Sequence, residues 1–170
     1  MTSMTIPAKL AEALNAQVTA ELEASLVYTQ LSYVLNDLGL VGMSSWMKAQ
    51  AEEELTHAQM FADHLLDRDF VPAIGTIEAP ALSVKTAEDA FEASLAHERK
   101  ISGKIRALAA LAQEEGDFDS RPLLDTFLSE QIEEEATVKE ILDRLRLVSH
   151  GQDGSGLLRI DAELSSRDSD

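Results

Sequence analysis

Four stretches of the chain carry apolar or small residues at alternating steps of three and four. The first runs Leu14, Val18, Glu21, Ser25, Tyr28, Ser32, Leu35, and the second Met47, Ala51, Glu54, Ala58, Phe61, Leu65. The third runs Ala87, Phe91, Ser94, Glu98, Ile101, Ile105, Leu108, Ala112, and the fourth Leu124, Phe127, Gln131, Glu134, Val138, Ile141, Leu145, Val148. Such spacing keeps one stripe of a helix facing a partner and produces the near-parallel packing of helix bundles. Strand-like alternation and internal repeats are absent from the pattern. The spacing predicts an all-α, single-domain chain over residues 1–170. Helices are expected over about 6–36, 44–70, 86–114 and 121–149, with a short fifth helix over about 156–165. Each long helix would span roughly 40 Å.

The breaks between these stretches fix the expected topology. Pro7 suits a first helical turn, where its missing N–H is no loss. Asn36–Gly42 is the next break, with Ser44 or Ser45 as a plausible cap. Thr86-Ala87-Glu88-Asp89 has the form of a capping box, and Asp119 or Ser120 would cap the fourth helix. Connections of about six residues make helices one and two antiparallel, and three and four likewise. The 15 residues Val71–Lys85, which contain Pro72, Gly75 and Pro80, can reach about 50 Å when extended. Helices two and three should therefore run parallel, joined by one long crossover. That is the arrangement of ferritin-like four-helix bundles.

Charge narrows the possible partners. Fourteen Lys and Arg stand against 31 Asp and Glu, a formal net charge of −17. A chain this acidic would attract cations and would not seek nucleic acid or an anionic membrane. The absence of cysteine removes disulfides, thiolate-held metals and thiol nucleophiles. Residues 1–7 show neither a basic region nor an apolar run, and no apolar stretch is long enough to span a bilayer. A cytoplasmic location is the expectation.

Each seam is interrupted near its middle by an acid: Glu21, Glu54, Glu98 and Glu134. Being mid-helix, all four fall at one level whichever way the helices run. Burying an unpaired carboxylate costs several kcal/mol, and no Lys or Arg occupies a seam position. A cation must neutralise them. His57 follows Glu54 by three residues and shares its face. Carboxylates with one imidazole suit iron or manganese better than zinc, and four carboxylates balance two divalent ions, so the site reads as dinuclear. Tyr28 lies two turns from Glu21, as a buried hydroxyl or a redox auxiliary. Trp46 and Tyr33 are expected to be packing residues, and His64, His97 and His150 surface or rim residues. Glu53, Glu130 and Glu133 flank the site and offer a third, weaker cation position. Glu114, Asp117 and Asp119, near the turn before the last long helix, are candidate pore residues by acidity and location.

The set of residues in order resembles the bacterial non-haem ferritins over nearly the whole chain. The resemblance is carried by Thr19-Ala20-Glu21-Leu22-Glu23-Ala24-Ser25, Glu53-Glu54-Leu55-Thr56-His57, His97-Glu98, Ser129-Glu130-Gln131-Ile132-Glu133-Glu134 and the tail Ile160–Ser165. The segments His64–Asp69 and Glu115–Phe118 are similar to actinobacterial members in particular. The resemblance implies a shell of 24 chains that oxidises ferrous iron and stores ferric mineral. Glu21 and His57 would hold one iron and Glu54 would bridge. Glu98 would hold the second, assisted by Gln131 and Glu134, while Glu53, Glu130 and Glu133 match an extra iron site and Tyr28 a tyrosine beside the centre. Haem-containing relatives carry a second Glu-x-x-His on the fourth helix, where this chain reads Gln131-Ile132-Glu133-Glu134. Their haem-ligating methionine falls at Leu55, so no haem is expected. Ferrous iron with O2 or H2O2 would be the substrates. Two other readings stay open: a discrete di-iron or di-manganese oxidase or peroxidase-like enzyme on the same bundle, and a metal-free acidic interaction protein.

Overall fold

In the computed structural model, which describes residues 5–149 and 154–166, the chain is helical throughout its regular structure. Its elements are α1 (Ala8–Asp37), α2 (Val41–Asp67), α3 (Ala87–Glu114), α4 (Arg121–Ser149) and a short α5 (Ser155–Leu164). Met1–Met4, His150–Asp153 and Arg167–Asp170 lie outside the described residues.

The expected seams are the buried faces. Every seam residue of α1, α2 and α3 is buried, and on α4 only Glu134 and Val148 are half-exposed. The core falls into two apolar clusters. One joins Val27–Leu35 of α1, Met43–Ala51 of α2, Phe91 and Leu95 of α3 and Val138–Leu145 of α4. The other joins Leu10–Val18, Phe61 and Leu65, Ile101–Ala112, and Leu124 with Phe127. The late part of α1 thus meets the early parts of α2 and α3 and the late part of α4. Helices α2 and α3 run parallel, as the crossover length predicts. Its start is pinned to α1 by two hydrogen bonds between the Asn15 amide and the Ala73 backbone, and by Gly75 N–H donating to Thr19. Its end packs Leu82 and Val84 on the first cluster.

The capping box at Thr86 forms, with Asp89 reciprocating. Three helices end in the paired 6→1 and 5→2 bonds of a Schellman turn, around Gly39, Asp69 and Gly116 at φ 80, 58 and 68°. Asp69, standing where glycine is usual, ends α2 at Asp67 rather than near residue 70.

Helix α2 begins at Val41, three residues before the expected start, and Ser44 is not its cap. The Ser44 hydroxyl donates instead to the Ser32 carbonyl on α1. Two of the first N–H groups of α2 are satisfied from α5, where the Asp161 carboxylate accepts from Met43 N at 2.8 Å and Gly42 N at 3.2 Å. A carboxylate at a helix N-terminus also meets a favourable dipole. The contact requires glycine, because a Cβ on Gly42 would lie 1.9 Å from the Asp161 carbonyl oxygen. Gly42→Ala should push α5 off the bundle and expose Ile160, now 3% exposed, at a cost of about 2 kcal/mol and a Tm a few degrees lower. Hydrogen exchange checks this: amide protection over α5 should vanish while that of α1–α4 persists, and unchanged α5 protection would contradict it.

Two further expectations are corrected. Trp46 is buried against Phe91, but Tyr33 is 61% exposed on this chain and packs in no core. Asp117 is no pore residue: it is buried and paired with Arg68 through two hydrogen bonds of 2.7 and 2.8 Å.

Candidate metal centre

Between the two apolar clusters lies a polar layer to which all four long helices contribute. Glu21 comes from α1, Glu54 and His57 from α2, Glu98 from α3, and Gln131 and Glu134 from α4. Glu21, Glu54, His57, Glu98 and Gln131 are each no more than 5% exposed. Donor atoms of Glu21, Glu54 and His57 all lie within 4.8 Å of one another. His57 Nδ1 is 3.2 Å from Glu54 Oε2, and its ring makes a T-shaped contact with Phe127. Phe127 stacks on Phe61 and fixes the apolar wall on that side.

The remaining expected ligands are held by neutral partners. Glu98 accepts from the Tyr28 hydroxyl and, at 3.1 Å, from Gln131 Nε2. Tyr28 also meets Ser94 at 3.1 Å. Gln131 Nε2 further donates to the Glu98 carbonyl and the Ser102 hydroxyl, which leaves its amide oxygen as the atom able to ligate. Glu134 accepts from Gln50 at 2.9 Å. Of the residues expected to form a third position, Glu130 Oε2 lies 3.3 Å from His57 Nε2. Glu53 is half-buried and Glu133 exposed, and the three are not gathered as Glu21, Glu54 and His57 are.

Electrostatics show what the layer lacks. Burial, together with the neighbouring Glu54 carboxylate, raises the Glu21 carboxyl to about 9. Burial, with the charges of Glu98 and Glu134, raises Glu54 to about 8. Glu134 rises to about 7, through burial and then Glu53 and Glu98. Glu98 is raised by burial too. Glu21 Oε2 is buried and has no hydrogen-bond partner. Carboxyls whose proton affinity is raised by burial, beside a buried oxygen without a hydrogen-bond partner, fit a divalent metal that would displace their protons.

The sign of the resulting pH dependence follows. Between the ordinary glutamate value near 4.5 and the raised values of about 7–9, the metal-free fold binds more protons than the unfolded chain. Its stability is therefore full below that window and falls as pH rises through it. Metal-free protein should melt several degrees lower at about pH 8.5 than at about pH 5.5, a loss on the order of 1–3 kcal/mol. Glu21→Gln should flatten the profile. A metal-free melting temperature that rises over this range would contradict the assignment.

Sequence reasoning missed Gln17 and Gln50, buried amides bonded to Glu21 and Glu134. The signal was a Gln one turn before a seam acid in both cases. Two histidines expected at the surface or rim are half-buried. His97 is half-buried in a T-shaped contact with Tyr28, and burial, then Lys100 and Lys104, lower it to about 4. His64 is half-buried and meets the Ser120 hydroxyl at 2.8 Å. His150 lies outside the described residues.

Comparison with known proteins agrees with this arrangement. Residues 11–148 match the Ferritin family model, a ferritin-like domain. The bacterial non-heme ferritin of Escherichia coli O157:H7 is 36% identical over 160 residues, covering 94% of this chain and 96% of that protein. That of Bacteroides fragilis is 33% identical over 162 residues, covering 95% and 99%. Among solved structures, an engineered closed form of Archaeoglobus fulgidus ferritin superposes with a TM-score of 0.92 at 35% identity, covering 96% of this chain and 99% of that one. The open-pore ferritin of the same archaeon also scores 0.92, at 34% identity. A four-helix bundle with one long crossover, an acidic layer at mid-height and these relatives over nearly its full length make the chain a member of the ferritin family.

Proposed function

We propose that this protein is a ferroxidase and iron store. The observation that carries the reading is the buried set Glu21, Glu54 and His57, with donor atoms within 4.8 Å of one another and Glu98, Gln131 and Glu134 in the same layer. Two ferrous ions are the substrate. Glu21 and His57 hold the first, Glu54 bridges, and Glu98 with Glu134 and the Gln131 amide oxygen holds the second. Each iron gives one electron to dioxygen, which takes up two protons and leaves as hydrogen peroxide, and the ferric products move on to an acidic interior where mineral grows. The carboxylates lose their protons on metal entry and offer hard oxygen donors that suit both iron oxidation states. Glu53, Glu130 and Glu133 provide a weaker third position beside the pair, from Glu130 next to His57 to the exposed Glu133. Tyr28, bonded to Glu98, is an auxiliary to the centre.

Bacterial relatives named non-heme ferritins support this reading, as does an acidity that draws cations by long-range steering. No haem is required. The chain acts as a homo-oligomer, a shell of 24 copies in the cytoplasm. Tyr33, Val71, Ile74 and Phe118, all more than 60% exposed on the single chain, are the apolar surface such assembly would cover. No helix among the described residues is long and apolar enough to cross a membrane.

An anaerobic titration of ferrous iron into metal-free protein, followed by mixing with oxygenated buffer, tests the chemistry. Fast oxidation of about two iron ions per chain is the expected outcome. Oxidation no faster than in buffer alone would overturn the reading.

A further inference from the structure

Two glutamines sit behind the proposed ligands, each one helical turn before an acid. Gln17 donates from Nε2 to Glu21 Oε1 at 2.8 Å. Gln50 donates to Glu134 Oε2 on α4 at 2.9 Å and reaches Glu54 Oε1 on its own helix at 3.4 Å. They are 3% and 0% exposed. Burying a primary amide is unfavourable unless its hydrogens find acceptors, and packing alone would be served better by leucine or methionine at either position.

The geometry points to Gln17 and Gln50 as positioning residues that aim the carboxylates at the two metal positions, Gln17 at the first and Gln50 chiefly at the second, since its bond to Glu134 is the shorter. This rests on the dinuclear reading above. The Gln17 bond occupies one oxygen of Glu21 and leaves the other, Oε2, buried without a hydrogen-bond partner, which is the oxygen a metal would meet. Gln50 holds Glu134 Oε2 and, at 3.4 Å, ties it across the bundle to Glu54. An amide suits the role because it is neutral. Lys or Arg would orient the carboxylate too, but would discharge it and repel the incoming cation. Hydrogen bonds to a ligating carboxylate fix its orientation and basicity, and losing such a partner typically weakens metal binding about 10–100-fold.

The two glutamines should act on different binding steps. Metal-free, full-length protein is titrated anaerobically with Co(II) as a ferrous surrogate, and binding is followed by visible absorption. The gathered Glu21, Glu54 and His57 set takes the first ion. Gln50→Met keeps the volume and removes the donor. It should weaken the second step about 10–100-fold and the first less than about threefold. Gln17→Met should show the reverse split. Gln50→Asn, which keeps the amide but falls one methylene short of Glu134, should reproduce the Gln50→Met loss, and it replaces that variant if methionine disturbs folding. Equal weakening of both steps by each variant would reduce the glutamines to structural residues and overturn the inference. So would two unchanged steps in every variant. Wild-type protein that fails to bind two ions per chain would overturn the dinuclear reading and take this inference with it.

Discussion

Glu54→Ala is expected to slow the fast phase of ferrous oxidation by about 100-fold or more. Glu54 adjoins both proposed positions. It lies against His57 at 3.2 Å and in the donor set with Glu21, and the charges of Glu98 and Glu134 bear on it from the other side. Losing one outer partner of a ligand already costs about 10–100-fold, so losing a bridge should cost at least the upper end of that range. The fold should not suffer. A buried carboxyl forced to hold a proton contributes little to stability, and replacing buried charge by apolar atoms is often neutral or favourable. Stopped-flow oxidation beside a metal-free melting curve checks both halves, with Glu52→Ala, at an exposed position two residues away, as the control that should keep the wild-type rate. An unmodified rate in Glu54→Ala would remove Glu54 from the site.

The second large effect is on stability and lies far from the acidic layer. Arg68, at the end of α2, is 7% exposed and grips Asp117 in the α3–α4 turn by two parallel hydrogen bonds. The Ser120 hydroxyl also accepts from Arg68 and donates to Asp117. Burial works to raise the Asp117 carboxyl, but the bonds from Arg68 and Ser120 outweigh it and hold it below the ordinary value. Breaking a buried pair by removing one partner leaves a charge without compensation, at about 3–5 kcal/mol. Arg68→Met should therefore lower Tm by about 10 °C near neutral pH. Because a depressed carboxyl contributes stability above its unfolded value and loses it in acid, the deficit should shrink as pH falls through about 4. Arg68→Met combined with Asp117→Leu should recover most of the loss. A single variant that melts like the wild type would show that the pair is not worth its geometry.

The bundle was legible because its signal is periodic. Leu14 to Leu35 and the other three seams each follow steps of three and four, and every helix repeats the message. The acids Glu21, Glu54, Glu98 and Glu134 were legible for the same reason, as exceptions within a regular row. What escaped depends on contacts distant in sequence. The start of α2 is set by Asp161, 118 positions beyond the Met43 amide that it caps, so the nearby serines misled. The end of α2 turns on Asp69 in a left-handed conformation, where glycine would have announced the stop. Asp117 looked like a pore acid because an acidic turn is usually solvated, and only Arg68, 49 positions earlier, shows otherwise. Gln17 and Gln50 stood in plain view one turn before two seam acids. A lone Gln on a helix is ordinarily a surface residue, and its burial became apparent only with the helices packed.

Storage, beyond oxidation, is the central claim, and one measurement addresses it most directly. A few hundred ferrous ions per presumed shell are added in air, and protein and iron are recorded together by size exclusion. Iron co-eluting with a particle on the order of several hundred kilodaltons, far beyond two or three ions per chain, is the result expected of a hollow store. Iron that stops near two per chain on a small oligomer would contradict storage and leave a discrete di-iron enzyme on the same bundle.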